Sequence, residues 1–165
     1  MKFAFFSKGP SSFSGGRYHA FLFAQGLAEN GHHVDFYMDQ KPVAMKHLFA
    51  AAPRTLSLKI LKKDGWPVID DPSLDMIFLV PHFSHETPLP QRAAQTAQNS
   101  NAALILLNFE TPNFVNSTSE RWVKSRFWDP IQEIIKAVDV IVSSSQLAVP
   151  YAKEFFTQTK ARHIF

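Results

Sequence analysis

The chain contains no cysteine, which excludes a disulfide framework and a thiolate metal site. No apolar run approaches the roughly 20 residues that a membrane span requires. Met1 leads straight into a strand-like run, with no basic segment, apolar core and cleavage site ahead of it. No signal peptide is therefore read, and a cytoplasmic location is expected. Walker A and Gly-x-Ser-x-Gly sequences are missing too. So is Gly-x-Gly-x-x-Gly, because the first turn holds Gly9 and then Gly15-Gly16. Net charge is only +3, and the Lys and Arg are spread along the chain. A duplex-binding domain gathers them on one helix or face, so no nucleic-acid partner is expected.

What is present is a core. Hydrophobic residues make up 45% of the 165, with 16 Phe among them, which argues against disorder. No repeat, low-complexity tract or linker interrupts the chain, so residues 1–165 are expected to form one domain. Short β-rich runs alternate with helical stretches, the pattern of a parallel α/β sheet flanked by helices. Strands are expected at Lys2–Phe6, His33–Met38, Leu56–Leu61, Met76–Val80, Ala103–Leu107, Asp139–Ser143 and Ala161–Phe165.

A helix is expected over Arg17–Asn30, where Ala20, Ala24, Leu27 and Ala28 keep a helical stripe and Gly31 supplies the stop. Pro88–Asn99 and Leu147–Phe156 read as further helices, and Asn108–Trp128 mostly as loop. Asp129-Pro130-Ile131-Gln132 has the form of a capping box opening another helix, with Asp129 as its cap. The first strand, glycine turn, helix and second strand span about 38 residues, the size of a βαβ unit.

Candidate functional residues lie where these strands end. Gly15 and Gly16 stand immediately before the first helix, with Arg17 as its first residue. Small residues there let backbone N–H groups approach a phosphate, and the helix dipole favours the anion; a tight turn alone would also use them. Asp39 occupies the place of a ribose-binding acid. His82 and His85 follow the fourth strand and suit hydrogen bonding at a cleft rim. Their spacing with Glu86 is not His-Glu-x-x-His, so no metal is expected. Glu110 is the ionisable group after the fifth strand, with Asn108 ahead of it. Its carboxylate could accept a hydrogen bond from a hydroxyl or act as its base. Arg121–Trp128 interleaves bases with aromatics, as packing, a sugar platform or an anionic lipid contact would.

The run Ser14-Gly15-Gly16, then Leu27-Ala28, then Asn30-Gly31-His32-His33-Val34 resembles the opening of retaining GT-B glycosyltransferases. The likeness is to the glycogen-synthase-like superfamily, family-4-like members. Asp139-Val140-Ile141-Val142-Ser143-Ser144-Ser145 is similar to the strand and cap late in the same N-terminal domain. The resemblance implies a Rossmann-like N-terminal half that binds a sugar or lipid-linked acceptor. A C-terminal partner domain would hold most of a nucleotide-sugar donor, without an essential metal. Gly15, Gly16 and Arg17 would face donor phosphates or acceptor across the cleft, and peripheral contact with a membrane is a further implication. Where many members carry a His after the fifth strand, this chain offers Glu110. Two other readings stay open: a nucleotide-dependent oxidoreductase or epimerase, and a non-catalytic binding module of the same fold.

Overall fold

The computed structural model describes residues 1–11, 14–62, 65–81, 88–109, 111–118 and 128–165. Among them, seven strands form one parallel sheet: β1 (Lys2–Ser7), β2 (His33–Met38), β3 (Leu56–Ile60), β4 (Met76–Leu79), β5 (Ala103–Asn108), β6 (Val140–Ser143) and β7 (Arg162–Ile164). Their spatial order is β3-β2-β1-β4-β5-β6-β7. The chain thus winds outward from β1 in one direction, then returns to β4 and winds outward in the other. The fold is Rossmann-like α/β, with its topological switch point between β1 and β4.

The helices are α1 (Gly15–Glu29), α2 (Lys46–Ala50), α3 (Leu89–Ser100), α4 (Pro112–Thr118), α5 (Asp129–Ile134) and α6 (Ala148–Phe155). Strand alternation divides the apolar residues into two cores. Phe3, Phe5, Phe36, Phe78, Ile105 and Leu107 face the side on which α1 lays Ala20, Phe21, Ala24 and Ala28. Phe6, Leu79, Leu104, Leu106 and Ile141 face the other side, under α3, α5 and α6. Stacked rings set the first core: Phe5 lies 4.6 Å from Phe78 and 5.3 Å from Phe36, centroid to centroid.

Gly31 ends α1 as expected. At φ +82° it allows a Schellman closure, in which Gly31 N–H donates to Ala28 and His32 N–H to Leu27. Asp139 explains why β6 begins where it does, since its carboxylate accepts the Leu104 N–H at 2.8 Å.

Three local expectations are corrected. Gly15 and Gly16 are the first two residues of α1 rather than a turn ahead of it. The capping box is absent: Asp129 is already helical, Trp128 holds the cap position, and no side chain caps α5. Gln132 instead donates to Phe155 O at 3.1 Å and ties α5 to the end of α6. Residues 112–118, read within a loop, form α4. That helix is held by α6, through Asn113 Nδ2 on Tyr151 O at 3.0 Å and the Phe114–Tyr151 ring contact.

Candidate functional site at the carboxyl edge

Open parallel sheets bind ligands outside the carboxyl ends of their strands, at the switch point. In this molecule that edge is formed by the ends of β1, β4, β5 and β6 and by the start of α1. The loop after β1 is fixed by Asp39, whose Oδ1 accepts the Gly9 N–H at 2.5 Å and the Gln40 N–H at 2.8 Å. Gln40 returns a bond to Gly9 O at 3.2 Å. A Cβ at Gly9 would lie 2.1 Å from Gln40 O, so only glycine permits this approach. Asp39 is buried and spent on backbone N–H groups, which leaves it poorly placed for a ribose.

The two glycines at the head of α1 differ in kind. A Cβ at Gly15 would meet nothing within 4 Å, whereas one at Gly16 would lie 2.9 Å from the Phe109 ring. Gly16 therefore admits Phe109, and Gly15 leaves open space above the helix. Ser14 takes the cap position with extended backbone but contributes no side-chain bond, and no acid lies in the first turn. The first helical N–H to find a partner is that of Tyr18, on Ser14 O at 2.9 Å. The N–H groups of Gly15, Gly16 and Arg17 precede it and have no partner inside the helix.

Arg17 is half-buried, and its Nε is without a hydrogen-bond partner. Burial pulls its pKa below the usual arginine value, against the opposing charge of Asp39. A cation in that state gains from any anion that reaches it.

A second group sits at the ends of β5 and β6. Asn108 is fully buried, and both its Oδ1 and Nδ2 lack partners. Its register partner is Ser143, also buried, with an unpartnered Oγ. Strand alternation places both on the face that carries Leu106 and Ile141. Thr111 is buried as well, with its Oγ1 unpartnered and its carbonyl accepting from Val115 at 3.0 Å. Carboxamide and hydroxyl groups each both donate and accept, the pattern that suits neutral hydroxyl-bearing molecules and water.

The structure thus places Gly15, Gly16, Arg17 and Asn108 along one edge. His82, His85, Glu86 and Glu110 lie outside the described residues. Of the basic-aromatic run, Trp128 is described: it is buried and packs on Phe155 and Phe156. Sequence reading missed Thr111 and Ser143, because an isolated hydroxyl carries no signal until burial removes its water. Among the described residues no three His, Asp or Glu are grouped to hold a metal ion. None of their helices is long and apolar enough to cross a membrane. A hollow of about 820 Å³ between α3 and α5, bordered by Gln98 and Lys136, lies in the helix layer away from this edge. The sequence matches neither a protein-family model nor a curated protein.

Proposed function

We propose that this domain is the acceptor-side half of a sugar transferase. It would hold a hydroxyl acceptor beside the phosphates of a nucleotide-sugar, with a second, donor-binding domain closing over the carboxyl edge. The observation that carries the reading is the row of unpartnered polar groups along that edge. Arg17 and the N–H groups at the head of α1, which have no partner inside the helix, suit a phosphate. Asn108, Thr111 and Ser143 suit hydroxyls. In the transfer, the bond from the anomeric carbon to the leaving phosphate breaks and a bond to the acceptor oxygen forms. The acceptor's proton passes to a base, for which Glu110 is the candidate, and positive groups stabilise the departing diphosphate.

The test is amide NMR of the chain titrated with pyrophosphate. Saturable shifts at Gly15, Gly16 and Arg17 are expected. Arg17→Met should weaken them about tenfold, the worth of a charge-assisted hydrogen bond. Undisturbed amides at millimolar pyrophosphate would remove the phosphate half of the reading.

One observation favours a second reading. The strand order is also that of dinucleotide-binding oxidoreductases. Asp39, bound to Gly9 and Gln40, counts against it, and tight NAD binding by the chain would reverse that ranking.

A further inference from the structure

The face of the sheet that carries α1 is covered over only part of its width. Beyond α1, among the described residues, no helix lies over β5, β6 and β7 on that side. Ile105, Leu107, Val140 and Val142 floor a groove of about 540 Å³ there, walled by Phe23 and Phe109. A charged side chain is absent from its lining, and His19 brings the one polar ring. All-parallel sheets normally bury both faces, so the groove calls for an apolar occupant.

The outer face of α1 has a matching character. Gly15, His19, Leu22 and Gly26 recur along it at helical spacing, and no charged residue stands between Arg17 and Glu29. Leu22 is 41% exposed and Phe23 44%. Gly26 lies in the helix interior, where glycine costs about 1 kcal/mol relative to alanine. Yet a Cβ at Gly15 or Gly26 would meet nothing within 4 Å. The fold itself has no steric need of these glycines, but a helix approaching closely from outside would.

We propose that the chain forms a two-fold symmetric dimer in which α1 of each copy lies in the groove of the other. Ridge and groove sit side by side on one face, so a two-fold axis between them sets ridge into groove twice, as an isologous interface requires. The groove is bounded on one side by α1 itself, and the space beyond, three strands wide at about 4.8 Å each, accepts one helix about 10 Å across. A 15-residue helix is about 22 Å long. Ridge and groove together then give a footprint of about 22 by 20 Å, about 440 Å² on each copy before relief, which is below the standard size and fits a weak, concentration-dependent dimer. The inference goes beyond the proposed transferase role and stands without it.

Sedimentation velocity of the whole chain across the micromolar range tests it. A concentration-dependent monomer–dimer equilibrium is expected. Leu22→Glu changes an exposed position, so it should yield a monomer with an unchanged circular dichroism spectrum. Gly26→Ala guards against misfolding as the explanation: it should raise the melting temperature of the monomer while weakening the dimer several-fold. A wild-type chain that stays monomeric throughout, or Leu22→Glu that dimerises as tightly as wild type, overturns the proposal. Saturable decanoate uptake by a strictly monomeric chain overturns it too, and assigns the groove to an apolar ligand.

Discussion

At the amino edge of the sheet, Lys2 Nζ donates to Asp71 Oδ2 at 2.5 Å and lies 3.9 Å from Asp35. Ser57 and Lys59 also reach Asp35, and the Lys2 N–H is taken by Asp75 at 2.7 Å. At the carboxyl edge of the same sheet, Arg17 Nε, the whole Asn108 amide and the hydroxyls of Thr111 and Ser143 have no partner. The two sets belong to one sheet, the first on β1 to β3 and the second around β5, β6 and the head of α1. Apart from the Asp39 network after β2, the polar groups named at the carboxyl edge are unpaired. An unmade buried hydrogen bond costs about 1–3 kcal/mol, so folding alone does not account for the second edge. The division has exceptions, since Ser100 Oγ and His163 Nδ1 are also unpartnered and lie away from the carboxyl edge. What the contrast teaches is that the amino edge spends its polar groups on holding the fold together, while the unpartnered groups of the carboxyl edge support the proposed binding role.

The largest effect should come from a position at the carboxyl edge that belongs to the fold. Gly9→Ala drives a Cβ against the Gln40 carbonyl and should cost about 3 kcal/mol, measured by urea denaturation. A loss below about 0.5 kcal/mol would mean that the loop after β1 is free to move and that Asp39 does not fix it.

A smaller effect is expected at the amino edge, and it should depend on pH. Hydrogen bonds from Lys2 and then Ser73 hold the Asp71 carboxyl down from 3.8 to about 2. Its contribution is therefore complete above the unfolded value and is lost as pH falls through the folded one. Asp71→Asn should cost about 1–2 kcal/mol at neutral pH, after allowance for solvent screening. The difference from wild type should close between about pH 4 and pH 2. Lys2 is shifted upward by the same bond, so its own contribution is lost only as pH rises past its folded value. A pH-independent difference would show that Asp71 acts through packing rather than charge.

Much of the architecture was legible in the chain. The β1–α1–β2 opening, the Gly31 stop and all seven strands follow from short β-rich runs between helical stretches and from one turn residue. Boundaries and caps were less legible, because packing overrode local signals. Trp128, buried against Phe155 and Phe156, sets the entry to α5 where Asp129 looked like the cap. Helix α4 has little of its own to announce it and is stabilised by its contacts with α6. The site was half legible: Arg17 follows from its place at the head of the first helix and Asn108 from strand-end position. Ser143 needs its cross-strand neighbour, and Gly9 needs the clash that glycine avoids.

The measurement that tests the central claim most directly is Asn108→Leu, read for stability and binding together. If this residue is held for a ligand, replacing its unpartnered amide with an apolar group of similar size should leave urea stability unchanged or raise it by about 1 kcal/mol. Amide shifts around Ser143 on titration with a simple methyl glycoside should be lost. A variant that loses more than about 1 kcal/mol while keeping those shifts would contradict the account, and would return Asn108 to the fold.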